Sequence, residues 1–265
     1  MRVTSFDKTE LDVGIFGDGE PVILLHAFML HAEQNWIETG VAQAIVDAGR
    51  QVVLIDARGH GDSDCPHDPA RYADRAMARD VLSVMKTLDL HPADLVGYSM
   101  GAGQAVEVAM IESAKVRSLV LAGFSLYEPD WQWSAEDRRA EADNLREENP
   151  DHPGFYRQFA DEEGGDRFAF AARIEGAEFP EYRIDDLSAL PMQVTVINGE
   201  HDFDADVAAA PFPSGKAMTI PGDHISAIWE SAFADAIVKS LTEPGSTHQG
   251  MELMAKDNRS ARQQQ

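Results

Sequence analysis

The chain repeats one unit: a short, almost unbroken apolar run, then a longer stretch whose apolar residues recur three and four apart. The runs are Val22 to His26, Gln51 to Asp56, Asp94 to Tyr98, Ser118 to Ala122, Gln193 to Asn198 and Lys216 to Ile220. They are too short for buried helices, and branched aliphatic residues dominate most of them. Such runs read as strands covered on both faces. Between them, Val81, Val84, Met85 and Leu88 keep helical spacing, as do Ala102, Ala105, Val106, Ala109 and Met110. A wider stripe joins Ile225, Ile228, Trp229, Ala232, Phe233, Ala236 and Ile237. Strand and helix in this alternation predict an α/β fold, a mostly parallel sheet between two helical layers. The first two strands, Arg2 to Phe6 and Leu11 to Phe16, have no helix between them and predict an antiparallel edge.

The alternation stops between residues 125 and 190. That stretch is helical in pattern, charged and aromatic, with Trp131, Trp133, Phe155, Tyr156 and Phe159 but no buried strand. It reads as an insertion over the C-terminal ends of the strands. The expected organisation is a core of residues 1–124 and 191–242, an insertion of 125–190, and a polar, disordered tail of 243–265.

At 265 residues and 44% apolar composition, the chain can bury a core without staples. One cysteine, Cys65, forms no internal disulfide, which suits a reducing cytoplasm. There is no run of about 18 apolar residues to span a membrane. Met1 to Glu20 lacks the apolar core of a secretory signal, so a cytoplasmic location is expected. The formal charge is −24. Such a surface repels nucleic acid and anionic membranes, which leaves a small molecule as the expected partner.

The sharpest chemical signal is Gly97-Tyr98-Ser99-Met100-Gly101, which follows a strand and opens a helix. There, a strained turn presents a serine hydroxyl at the top of the sheet, and small residues on either side let strand and helix approach. A serine hydroxyl becomes a nucleophile when a base takes its proton. Among nine histidines, His224 stands between the last apolar strand and the last helix. Loops at that end of the sheet converge on the serine turn. The base needs an orienting carboxylate. Asp202 lies four residues past the end of another core strand, and the order Ser, Asp, His suits this layout. Asp204 and Asp206 follow closely, so strand-end spacing selects Asp202. No histidine, cysteine or carboxylate cluster has metal-ligand spacing, and no glycine-rich phosphate loop occurs.

With His26-Ala27-Phe28, Asp56 to Ser63, the serine turn and the Asp202 and His224 loops, residues 1–241 resemble the α/β-hydrolase fold family. The resemblance is to its serine esterase and cofactor-free haloperoxidase branch. It implies an eight-stranded sheet flanked by helices, with a helical cap inserted after strand six, and no cofactor. It implies Ser99, Asp202 and His224 as the catalytic set, with the backbone N–H groups of Phe28 and Met100 as the oxyanion hole. The side chains of Phe28, Met100, Trp131 and Trp133 would line the substrate pocket. Family members commonly carry His-Gly in the oxyanion loop and histidine before the nucleophile, where this chain has Ala27 and Tyr98. His26 is expected to hold the oxyanion loop, and His60 to brace a turn with Asp56 and Arg58. His31 is expected at the pocket mouth or in a solvated loop, and Cys65 as a bystander. The implied activity is hydrolysis of an ester or lactone, and the acidic, aromatic stretch 125–190 points to a neutral, moderately apolar one. Carbon–carbon bond hydrolysis of a diketone and perhydrolysis use the same three residues, and a non-catalytic ligand receptor is the reading of another class. Serine at the turn argues against the dehalogenase and epoxide hydrolase branches, which carry aspartate there.

Overall fold

The computed structural model describes residues 1–126, 134–148, 152–176 and 182–243. Eight strands form one sheet: β1 (Arg2–Thr4), β2 (Glu10–Phe16), β3 (Pro21–Leu25), β4 (Gln51–Ile55), β5 (Ala93–Tyr98), β6 (Val116–Ala122), β7 (Gln193–Gly199) and β8 (Gly215–Ile220). Their order is β1-β2-β4-β3-β5-β6-β7-β8. Only the β1–β2 and β2–β4 pairs are antiparallel, so the expected antiparallel edge is present. The register pairs Leu24 with Leu54 and Val96, then Val96 with Val120, so branched side chains lie in rows across the sheet.

Successive strand residues face opposite layers. Ile23, Leu25, Val53, Ile55 and Leu95 pack with α2 (Ala76–Thr87) and α3 (Met100–Ile111). Val22, Leu24, Val52, Leu54 and Val96 pack on the other face with α1 (Val41–Asp47), α9 (Ser231–Thr242) and Trp36. Trp36 is fully buried and stacks on Phe233 of α9 at 6.2 Å. The unbroken apolar runs follow from this double covering.

Between β6 and β7 the described residues form four helices and no strand: α4 (Ala135–Arg146), α5 (Phe155–Glu163), α6 (Arg167–Gly176) and α7 (Ile184–Ser188). Ala142, Leu145, Ala160, Phe170, Ala171 and Ile174 from α4 to α6 share an apolar cluster with Met29 and Phe28. These helices therefore rest on the loop that follows β3. A short helix, α8 (Ala205–Ala209), packs against β7 and β8. Among the described residues no helix is long and apolar enough to cross a membrane. Residues 244–265, nearly all of the expected tail, lie outside the described residues.

One expectation is corrected. Ile225 and Trp229 do not continue the stripe of the last helix, which begins only at Ser231. Both are exposed, at 56% and 57%. The Asp223 carboxylate accepts from Ile225 N–H, Ser226 N–H and the Ser226 hydroxyl, forming a tight local turn. Such bonds offer the backbone an alternative to helix. Glu230 is extended and starts the helix afresh.

A buried ion pair fixes the loop after β4. Arg58 is fully buried, and its guanidinium donates twice to Asp80 of α2 at 2.6 Å and to Asp7 at 3.0 Å. The Ser5 hydroxyl also donates to Asp80. Removing one partner leaves a poorly compensated charge in the interior. Asp80→Ala is expected to cost about 3–5 kcal/mol in urea unfolding. A loss below about 1 kcal/mol would show that water or Asp7 alone satisfies the guanidinium.

Candidate active site

Ser99 sits between β5 and α3 with φ 51° and ψ −111°, a conformation costly for a residue with a side chain. Its N–H donates to Ala122 O at 2.8 Å, and its carbonyl accepts from Ala102 and Gly103. The turn can be this tight because its neighbours lack a Cβ. A Cβ at Gly97 would lie 2.3 Å from the Gly101 carbonyl carbon, and one at Gly101 would lie 2.0 Å from Leu25 O.

His224 reaches the serine from the loop after β8. Its Nε2 is 3.0 Å from Ser99 Oγ, and its Nδ1 is 3.0 and 3.1 Å from the two Asp202 oxygens. Asp202 is 3% exposed and His224 35%, so the carboxylate is the inner end of the row. The Nδ1 contact fixes the tautomer: a proton on Nδ1 donates to the carboxylate and leaves Nε2 to accept from the serine. Asp204, the competing carboxylate, instead caps α8 by accepting from Asp206 N–H and Val207 N–H. The Asp223 carboxyl is pulled down to about 2 by the Ser226 N–H and hydroxyl and the Ile225 N–H, and it holds the turn that carries His224.

Three residues to which the sequence reading assigned no role set this geometry. Tyr98, buried at the end of β5, donates its hydroxyl to His224 O at 2.9 Å. Asn198, fully buried at the end of β7, accepts from Phe124 N–H and donates to the carbonyls of Phe124 and Phe203. It thereby ties the Asp202 loop to the end of β6. Asn35 accepts from Ala27 N–H at 2.8 Å and pins the loop after β3. A polar residue closing an apolar run, as Asn198 does, was the available signal.

In that loop the left-handed residue is Met29 (φ 68°), not Ala27, so alanine at 27 meets no backbone penalty. Asp56 braces the neighbouring loops by accepting from Ala32 N–H and Asp62 N–H. His26 bridges the loops after β3 and β4. Its Nε2 accepts from Ala57 N–H at 2.9 Å, so its proton lies on Nδ1, 2.7 Å from Ala27 O. His60 donates to Arg58 O and packs 5.1 Å from the His26 ring. Cys65 has its thiol pushed up to about 11 by burial and donates it to Ser63 O.

Burial holds both imidazoles, His26 and His60, below their ordinary 6.5. Each group binds its proton less readily folded than unfolded. Below about pH 6.5 the unfolded chain takes up protons that the folded chain refuses, so stability falls with pH by up to about 1.4 kcal/mol per unit for each histidine. Urea unfolding between about pH 7.5 and 5.5 is expected to show this slope, and His60→Phe to reduce it by roughly one proton. An unchanged slope in the variant would remove His60 from the account.

Ser99 and His224 open into a cavity of about 250 Å3. One wall is the loop after β3, from Ala27 to Leu30, and the facing wall is Phe155, Tyr156 and Phe159 of α5. Ile225, Ile228 and Trp229 close a third side, and Tyr98 also contributes. Phe28 lines the cavity as expected. Met100 does not: it already lies in α3, whose face there packs it against Ala57, Tyr72, Met77 and Ala172. Its N–H is at the first position of α3, where no partner within the helix exists. His31 is not a lining residue and donates its N–H to Gln34. Trp131 and Trp133 lie outside the described residues. Among the described residues no group of histidines, cysteines and carboxylates could hold a metal ion.

A family model described as the alpha/beta hydrolase fold matches residues 20–164. A non-heme chloroperoxidase of Kitasatospora aureofaciens is 33% identical over 44% of this chain and 42% of its own length. The chain spans well under two thirds of the length of the curated relatives it matches. A thermophilic esterase from Thermogutta terrifontis has the same fold, with a TM-score of 0.77 and 24% identity over 91% of this chain and 97% of that one. So does the enol-lactonase from Burkholderia xenovorans LB400, with a TM-score of 0.72 and 22% identity over 92% and 100%. The matched stretch exceeds half of the sequence and carries the strand, serine turn and helix together: the chain belongs to the alpha/beta hydrolase fold family.

Proposed function

We propose that the protein is a serine hydrolase that cleaves a neutral, moderately apolar carboxylic ester or lactone through an acyl-enzyme. The observation that carries this reading is the row Ser99 Oγ, His224 Nε2, His224 Nδ1 and Asp202, with the serine opening into an apolar cavity. Ser99 Oγ bonds to the carbonyl carbon while His224 Nε2 takes the hydroxyl proton. Asp202 stabilises the imidazolium. The tetrahedral oxyanion forms beside the N–H groups of Phe28 and Met100, the second at a helix N-terminus, where partial positive charge favours it. Collapse breaks the bond to the leaving alcohol, which receives the proton from His224. Water, deprotonated by the same histidine, then releases the acid and restores Ser99.

The similarity to a chloroperoxidase supports a second reading, perhydrolysis, in which hydrogen peroxide replaces water in the last step. The substrate's neutrality rests on charge. Residues 125–190 carry seven arginines, no lysine and eighteen carboxylates. Arg157 is occupied by Asp161 and by the Asn144 and Glu147 carbonyls at the end of α4. The test is kcat/KM for a butyrate ester, a lactone and the ω-carboxylate analogue of the ester at low salt. The neutral substrates are expected to lead. A lead by the carboxylate analogue would overturn the assignment of substrate class.

A further inference from the structure

The charges that line the cavity all have one sign. Among the described residues its lining holds Glu38 and Glu163 and no lysine or arginine. The undescribed internal stretches, 127–133, 149–151 and 177–181, also contain neither. Both glutamates are exposed, so they stand at the rim. Gln34 also lines the cavity and donates its Nε2–H to Glu163 Oε2 at 3.1 Å. Arg173 lies over the Phe28 ring, 4.7 Å from its centroid, and is not a lining residue.

Aromatic surface meets these carboxylates. Phe155 and Trp229 line the cavity yet are 62% and 57% exposed. Tyr156 packs edge-on between Phe28 and Phe155. Large apolar side chains exposed together mark surface that a ligand covers. Ring faces attract a cation through their quadrupole, and carboxylates add a second attraction. The chain's charge of −24 raises the local concentration of cations at such a mouth and depletes anions. A primary ammonium is strongly hydrated and would lose water bonds against these rings. A quaternary ammonium carries its charge beneath methyl groups and loses little.

We infer that the cavity takes esters whose end distal to the carbonyl carries a quaternary ammonium, held between Glu38, Glu163 and the aromatic rim while the ester lies at Ser99. This inference rests on the hydrolase reading for the position of the ester. It extends the order of preference upward: cationic above neutral, neutral above anionic.

The probes are the trimethylammonioethyl and neohexyl esters of butyric acid, which differ by nitrogen in place of carbon. Their binding to full-length Ser99→Ala is measured by calorimetry, and their turnover by the unaltered protein. The cationic ester is expected to bind about tenfold more tightly at about 0.01 M salt, with the advantage shrinking at about 1 M. In Ser99→Ala carrying Glu38→Gln and Glu163→Gln, the ratio of the two affinities should fall from about tenfold to the roughly two- to threefold that the ring faces alone supply. Equal binding, tighter binding of the neohexyl ester, or a ratio retained without the two glutamates would overturn the inference. Turnover decides the hydrolase reading separately. A retained binding ratio with no turnover of either ester would overturn that reading and, with it, the placement of the ester at Ser99.

Discussion

Ser99→Ala is expected to lower kcat by about 10⁴-fold or more, with KM little changed. The magnitude follows from cooperation. His224 Nε2 has one acceptor role, 3.0 Å from Ser99 Oγ, and without that hydroxyl neither it nor Asp202 has a nucleophile to serve. His224→Ala should cost nearly as much, and the double variant hardly more, because groups that act as a unit are not additive. The fold should survive, since alanine has no atom beyond Cβ to clash in the turn. Circular dichroism and unfolding checks would establish this. Undiminished turnover by Ser99→Ala would place the nucleophile elsewhere.

Asp202→Asn is expected to lower kcat by about 10³- to 10⁴-fold. An asparagine amide can turn its NH₂ toward Nδ1, which then accepts. The proton moves to Nε2, where it faces Ser99 and blocks the transfer. Asp204→Asn is the matched control. Asparagine caps helices about as well as aspartate, so α8 keeps its cap and activity should stay within about twofold. Equal small losses in both variants would hand the role to another carboxylate. Glu128 and Asp130, which follow β6 in sequence, would be next; they lie outside the described residues.

The parallel sheet was legible because burial on both faces leaves unbroken Val, Ile and Leu runs, and strand ends fell within about two residues of expectation at every strand. The positions of Ser99, Asp202 and His224 were legible for a related reason. All three stand in loops at the C-terminal edge of the sheet, which chain order alone can locate. What escaped was set by side chains acting across loops. The hydrogen bonds from Tyr98 to His224 O and from Asn198 to Phe203 O span 126 and 5 residues and have no periodic signature. The cavity wall at Ile225 and Trp229 has the spacing of the last helix, but the Asp223 turn and a single 3-10 turn, Ala227–Trp229, separate it from that helix. The resemblance puts the Met100 side chain in the pocket because its N–H serves the oxyanion hole, but entry into α3 turns that side chain toward α2 and α6.

A fluorophosphonate probe tests the central claim most directly, because it reports an activated serine without a known substrate. The probe forms a phosphorus–oxygen bond to the serine that His224 deprotonates and expels fluoride. Mass spectrometry of the labelled chain should find the adduct on Ser99, and labelling should be lost in Ser99→Ala and slowed at least about 10²-fold in His224→Ala. Labelling at another residue, or an unmodified Ser99 in the folded protein, would contradict the account.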